Sequence, residues 1–258
     1  MIEKRLLSVS LILVLSVTFL LVSNLTGCAP TGKGETLTVG AASANFFVFQ
    51  EMADKFEKEY GIKIDYNFAA TGMLYQQIKQ GGPMDVFVSA DEKHVDMLVE
   101  EGMIDPADQK VYAEGRIVIA SLDGEIQEIE DLKEVDIVAI ANPEHAPYGV
   151  AARQALKNAG VLEEISDKLI YGSNLRDAQR YLETEEADAA ILSISMVKGE
   201  GKNMEYSLID EELYSPVKQK IGILNNAIAS EKALQFFEFV TNTEIGRDIM
   251  ESYGFKLP

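Results

Sequence analysis

The stretch Ile62–Glu92 reads IKIDYNFAATGMLYQQIKQGGPMDVFVSADE. Ile62 to Phe68 alternates apolar and polar side chains, the period of a half-buried strand. Ala69-Ala70-Thr71-Gly72 then turns the chain, and Leu74 and Ile78 stand four apart, on one face of a helix. Gly81-Gly82-Pro83 stops that helix. Val86 to Val88 is a short apolar run, as expected of a strand covered on both faces. Ser89 and Glu92 have the spacing of a capping box, which opens another helix through Val95, Leu98 and Val99. Strands and helices in strict succession build a mostly parallel sheet with right-handed crossovers.

The alternation extends in both directions. Thr36 to Ala41 is β-prone and breaks at Ala42-Ser43-Ala44-Asn45. Phe49, Met52, Phe56 and Tyr60 follow at helical spacing until Gly61. Downstream, Ile117 to Ser121 is apolar and Asp123 to Asp136 is acidic. Ile137 to Ile140 reads as a strand, Asn142 to Tyr148 as a loop, and Gly149 to Ala159 as a helix stopped by Gly160. Asn174 has the side chain of an N-cap for a helix carrying Leu175, Ala178 and Leu182. Ala189 to Leu192 reads as a strand and Ile221 to Leu224 as another apolar run. Two helices, about 231–242 and 244–252, close the chain. No period of 20–50 residues recurs, so a solenoid or propeller is excluded. No Pro-rich linker separates the halves, so short strands near 117–121 and 219–225 are expected to join them.

Of 258 residues, 47% are hydrophobic and 25% charged, a globular composition. Acidic residues number 42 against 23 basic, a net charge of −19. Nucleic acid is excluded as a partner, because binding it needs a basic face that neutralises phosphates. The single cysteine, Cys28, excludes a disulfide framework and a Cys-rich zinc site. His94 and His145 are too far apart to form a metal-binding pair on one helix. No cofactor and no metal held directly by side chains is expected.

Residues 1–27 have the form of an export signal. Lys4 and Arg5 precede an apolar run from Leu6 to Val22, and small residues lead to the lone cysteine. Leu25-Thr26-Gly27-Cys28 resembles the lipobox of bacterial lipoproteins, in which cleavage before the cysteine frees its thiol to carry lipid. The alternative is a retained anchor, for which the run is short of the ~20 residues of a span. The resemblance implies a lipoprotein signal peptide over 1–27, lipid attachment at Cys28 and a polar tether over 28–35. It implies an extracytoplasmic protein, lipid-anchored to the cell membrane.

Chemistry-bearing motifs are sparse: there is no Walker loop, dinucleotide fingerprint or nucleophile elbow. Ser43 and Thr71, however, each stand in a strand-to-helix turn. In open α/β sheets these turns gather at the carboxyl ends of the strands, where ligands bind. A helix start there presents unpaired N–H groups and the positive end of a dipole, suited to an anion. Helix starts at Gly149 and Leu175 offer the same donors from the second half. Ordinary N-capping is the other reading of Ser43 and Thr71. Asp85 and Asp91 flank a strand end, either as a carboxylate pair or as a turn residue and a helix-start charge.

Several of these segments are similar to those of molybdate-binding proteins of ABC importers. Val39-Gly40-Ala41-Ala42-Ser43-Ala44-Asn45 resembles that family's Ala-Ala-Ser-Leu-Thr segment. Gln77-Ile78-Lys79-Gln80-Gly81-Gly82-Pro83-Met84-Asp85-Val86-Phe87-Val88-Ser89-Ala90-Asp91 resembles its strongest motif. Asn142 to Pro147, Asn174-Leu175-Arg176 and Tyr253-Gly254-Phe255 match in the same order, so the resemblance runs from Thr36 to Pro258. It implies an α/β, type II periplasmic-binding-protein fold: two α/β lobes with mixed, mostly parallel sheets joined by two hinge strands. Lobe 1 is expected over 36–117 and 222–258, and lobe 2 over 118–221.

The resemblance further implies a monomeric receptor that captures a tetrahedral oxyanion, molybdate or tungstate, and delivers it to the transporter permease. The oxyanion sits between the lobes, held by hydrogen bonds alone. Ser43 and Thr71 take the places of two hydroxyl donors, and Tyr148 and Leu175 those of two backbone N–H donors. The chain departs from the family at Ser193, where a tyrosine hydroxyl is usual. The missing hydroxyl is expected either from Ser193 itself, through a bridging water, or from the Tyr148 side chain on a cleft loop. The other reading of Tyr148 is that it only covers apolar surface at the cleft mouth. A receptor for another oxyanion or small organic acid is the rival within the class. From a different class comes an exported hydrolase with Ser43 as nucleophile, which needs His94 or His145 beside it. The expectation is a binding protein and not an enzyme.

Overall fold

In the computed structural model, which describes residues 36–199 and 204–258, the strand–helix succession folds into two five-stranded sheets. The expected signal, Cys28 and the tether lie outside the described residues. The first sheet takes β1 (Thr36–Ala42), β2 (Lys63–Ala69), β3 (Val86–Ser89), β4 (Ile104–Gly115) and β10 (Val217–Leu224), in the order β2-β1-β3-β10-β4. The second takes β5 (Ile117–Ser121), β6 (Val138–Ala141), β7 (Leu169–Gly172), β8 (Ala189–Ser193) and β9 (Glu205–Leu208), in the order β7-β6-β8-β5-β9. β1 runs parallel to β2 and β3, and β6 parallel to β7 and β8. β10 in one sheet and β5 in the other run against their neighbours. The expected mixed, mostly parallel sheets are present.

The helices follow from the apolar spacing. α1 (Phe46–Tyr60) buries Phe49, Met52 and Phe56, and Gly61 ends it at a φ of 69°, its N–H closing on the Glu57 carbonyl. α2 (Thr71–Lys79) buries Leu74 and Ile78. α3 (Lys93–Glu100) buries Val95 and Leu98. In the second lobe stand α4 (Pro147–Asn158), α5 (Leu175–Glu183) and α6 (Ile194–Gly199). α7 (Ser230–Asn242) and α8 (Glu244–Ser252) return to the first lobe, where Phe236 and Phe239 stack edge-on against Phe56. The core of the second lobe reaches across to Ala42, Ala44, Phe47, Ala70 and Ala90 of the first, so the lobes meet through four alanines and one phenylalanine ring.

Three expectations change. No Ser89–Glu92 capping box forms: the Asp91 carboxylate accepts the His94 N–H, while the Ser89 hydroxyl accepts from Asp91 N. A carboxylate next to the first turn is also favoured by the helix dipole. α4 starts at Pro147 and not Gly149, since proline's fixed φ and missing N–H suit a first helical position. The second crossing also comes earlier than a boundary at 221/222 would put it. β10 already pairs with β4 at Val217 and with β3 at Lys220, so residues 217–221 belong to the first sheet. The chain passes between sheets at Arg116 and again over 209–216.

Candidate anion-binding site

β1 ends at Ala42, and a single 3-10 turn, Ser43–Asn45, connects it to α1. Neither Ser43 nor Thr71 caps a helix; the capping positions fall on Ala42, Asn45 and Ala70, none of which makes a side-chain cap bond. Both hydroxyls are engaged elsewhere. Thr71 Oγ1 accepts the Ala90 N–H at 3.1 Å, from the turn after β3. Ser43 Oγ accepts the Leu175 N–H at 3.1 Å, across the lobe boundary. A hydroxyl oxygen that accepts an N–H keeps its own hydrogen to donate, so both side chains remain donors.

From the second lobe come two helix starts. Asn174 caps α5, its Oδ1 accepting the Arg176 and Asp177 N–H groups, which leaves the Leu175 N–H to point at Ser43. α4 packs tightly on the end of β6: a Cβ on Gly149 would lie 2.1 Å from the Ala141 carbonyl oxygen. That approach holds the Tyr148 and Gly149 N–H groups in the first turn, where no helix carbonyl can take them. A backbone bond from Gly72 N–H to the His145 carbonyl, 2.9 Å, joins α2 to the loop before α4. Ser43, Thr71, Tyr148 and Leu175 thereby line one cavity of about 10 Å³, with Pro147 and several alanines. That is room for about one water molecule, and every lining residue is uncharged.

The expectation that the Tyr148 side chain lies free over the cleft is not met. Tyr148 is 2% exposed, and its hydroxyl oxygen accepts from Gln219 Nε2 at 2.8 Å. Burial pushes its phenol well up from the ordinary tyrosine value, with the neighbouring Tyr214 adding to the shift. Ser193 is fully buried but does not line the cavity; its hydroxyl pairs with Ser195 Oγ at 2.8 Å. Ser195 in turn donates to the Ala44 carbonyl at 2.9 Å, beside Ser43. Sequence reading did not single out Ser195, although its place two residues after Ser193 puts another small hydroxyl at the end of β8. Gln219 and Tyr112 were also missed, and nothing local in the sequence marks them.

Asp85 and Asp91 do not pair. The Asp85 carboxylate accepts the Thr38, Ile228 and Ala229 N–H groups and ties the loop after β10 to the sheet. Asp91 holds the His94 imidazole, Nδ1 lying 2.8 Å from Oδ2. Burial works to raise the Asp91 carboxyl, but the His94 side chain and N–H and the Ser89 hydroxyl hold it below the usual carboxylate range. One cation stands next to the donors: Arg176, its guanidinium 4.9 Å from the Phe47 ring centre and 5.3 Å from that of Phe46, across the lobe boundary. Stacked there, it lies outside the cavity lining.

Comparison with known proteins bears on the whole described chain. The profile of the family described as "Bacterial extracellular solute-binding protein" matches residues 37–256. The molybdate-binding protein ModA of Rhodobacter capsulatus is 31% identical over 230 residues, 88% of this chain and 90% of that protein. A Bacillus subtilis (strain 168) protein named "Putative ABC transporter substrate-binding lipoprotein YvgL" is 28% identical, covering 86% of this chain and 87% of its own. Among solved structures, the periplasmic molybdate-binding protein of Azotobacter vinelandii superposes with a TM-score of 0.82, at 24% identity, covering 86% of this chain and 99% of that one.

Proposed function

The chain belongs to the bacterial extracellular solute-binding protein family, and from that premise we propose that it is the monomeric receptor of an ABC importer for molybdate or tungstate. It takes the oxyanion between its lobes and hands it to a membrane permease. It works outside the cytoplasm, held to the membrane by lipid on Cys28. The observation that carries this reading is the convergence of four neutral donor positions, Ser43, Thr71, Tyr148 and Leu175, on one uncharged cavity between the lobes. The relative named as molybdate-binding, at 31% identity over nearly its full length, supports the choice of anion.

The geometry supplies a mechanism. With the lobes together, the Leu175 N–H is satisfied by Ser43. An oxyanion entering between them takes that N–H for itself and receives the Ser43 and Thr71 O–H groups and the Tyr148 N–H. Hydrogen bonds to a charged acceptor contribute about 1.5–3 kcal/mol each, more than the neutral bond they replace. The anion thereby draws the two lobes together through bonds that each lobe supplies. The site is read as binding and not catalytic: a hydrolase needs an imidazole to receive the Ser43 proton, whereas the bonded neighbour of Ser43 is the Leu175 N–H and neither His94 nor His145 lines the cavity.

The experiment is a thermal-shift series on the protein with molybdate, tungstate, sulfate, phosphate and chromate. A ligand bound only by the native state raises Tm by mass action. Molybdate and tungstate are expected to raise it at micromolar concentration. A shift confined to sulfate, phosphate or chromate would reassign the ligand, and no shift with any of the five would overturn the oxyanion-receptor reading.

A further inference from the structure

Four buried side chains form a relay across the crossing strands, none of them a member of the donor set through its side chain. Asn45 Nδ2 donates to the Tyr112 hydroxyl at 3.0 Å. Tyr112 donates to Gln219 Oε1 at 2.7 Å, and Gln219 Nε2 donates to the Tyr148 hydroxyl at 2.8 Å. The direction of the chain is fixed at its first link. An amide nitrogen can only donate, so Tyr112 accepts from Asn45 and turns its single hydrogen to Gln219, whose nitrogen then faces Tyr148. Asn45 and Gln219 are fully buried, and Tyr112 and Tyr148 nearly so.

The relay lies where the lobes are joined. Tyr112 is near the end of β4, just before the first crossing, and Gln219 is near the start of β10, just after the second. Gln219 pairs with Ala113 but Lys220 with Val111, so a bulge leaves Tyr112 as the extra residue on β4. Bulges re-aim side chains in this way. At Gly115 the backbone comes so close to Tyr148 that a Cβ would lie 1.9 Å from the Tyr148 hydroxyl oxygen. One end of the relay is two residues past Ser43, and the other is in the first turn of α4, whose N–H groups face the cavity.

We propose that Gln219 is a positioning residue that sets how the lobes close, by holding the Ser43 turn and the start of α4 at a fixed separation across both crossings. The claim about closure rests on the geometry alone; its consequence for affinity rests on the oxyanion reading above. Two amides report closure directly, because each bonds only across the boundary: Gly72 N–H to His145 and Leu175 N–H to Ser43.

The test is hydrogen exchange by mass spectrometry on the ligand-free full chain, comparing the parent with Gln219→Met and Tyr148→Phe. The second variant removes one oxygen and guards against a failure of the first to fold. Exchange at Gly72 and Leu175 is expected to quicken at least fivefold, with β6 and β8 unchanged. Unchanged exchange at those two amides, or a uniform increase through both lobes, overturns the proposal. Molybdate titration of the same samples is expected to show a tenfold or greater rise in Kd. If the parent binds no oxyanion while the two amides still quicken, the closure role stands and the receptor reading falls.

Discussion

Replacing Ser43 and Thr71 by alanine, one at a time, separates their two jobs. Each substitution removes a hydroxyl expected to donate to the dianion, so each should weaken binding by about 1.5–3 kcal/mol, roughly a 10- to 140-fold rise in Kd. Their effects on the ligand-free protein should differ. Thr71 accepts the Ala90 N–H inside the first lobe, and Ala90 is 1% exposed. Thr71→Ala strands that donor away from water, at about 1–3 kcal/mol, or a Tm lower by about 2–12 °C for a domain of this size. Ser43 accepts the Leu175 N–H at the boundary between lobes, where opening admits water to take its place. Ser43→Ala should therefore cost no more than the net worth of one bond, about 0.5–1.5 kcal/mol. Isothermal calorimetry gives Kd and scanning calorimetry gives Tm on the same preparations. A Ser43→Ala protein that binds molybdate within twofold of the parent would refute its role as a donor.

Molybdate and tungstate should bind at least a hundredfold more tightly than sulfate, because fixed donors around a smaller dianion go unmet at about 1–3 kcal/mol each; equal affinities in calorimetry would contradict this. Phosphate, also smaller than molybdate, should bind weakly for the same reason. Asp91→Asn should destabilise the protein at neutral pH: the folded carboxyl titrates below its unfolded value of 3.8, so its contribution is present above that value and lost as pH falls through the folded pKa. The gap between the urea midpoints of parent and variant should thus begin to close at pH 3.8 and vanish below the folded pKa, and a gap that did not narrow with falling pH would rule out the carboxylate as its source. Gly149→Ala should lower stability by about 1–3 kcal/mol through crowding, although alanine favours helix, because its Cβ would meet the Ala141 carbonyl; denaturant unfolding that shows stabilisation would disprove the close approach.

The strands that sequence reading found and those it missed differ in where they lie. Val86–Ser89, Val138–Ala141 and Ala189–Ser193 are buried throughout, so their apolar runs stand out. β4, β7 and β9, which went unread, are three of the four edge strands; the fourth, β2, was legible because its side chains alternate. After the buried Ile104, β4 runs through Asp105, Pro106, Ala107 and Asp108, mostly exposed, and proline is tolerated there because an edge has N–H positions that no neighbour needs. β7 and β9 each have only four residues; three of β9's are exposed, and only Gly172 of β7 is buried. An edge strand draws its pairing from the backbone of its neighbour and needs little apolar pattern of its own. The sequence therefore reveals the sheet centres more readily than their rims, and that was enough to infer the mixed α/β architecture.

A similar division separates the donors from what positions them. Ser43, Thr71 and Leu175 could be picked out because a turn between strand and helix is written in a few adjacent residues, and the physics of helix starts then supplies the N–H groups. Tyr148 could be placed at the site, but the direction of its side chain could not, because that depends on Gln219, 71 residues away, and on the bare backbone of Gly115. The departure at Ser193 made a free tyrosine hydroxyl attractive as a replacement donor. The fold gives that hydroxyl to Gln219 and leaves Ser193 bonded to Ser195. The second lobe is thus left to act through its helix-start N–H groups, whose spacing is set by backbone packing. A donor set built this way should discriminate by size more sharply than one resting on a long side chain free to follow a smaller ion. The molybdate-to-sulfate ratio is then expected to fall in Tyr148→Phe, which breaks the proposed relay, even though the oxygen removed is bonded to Gln219.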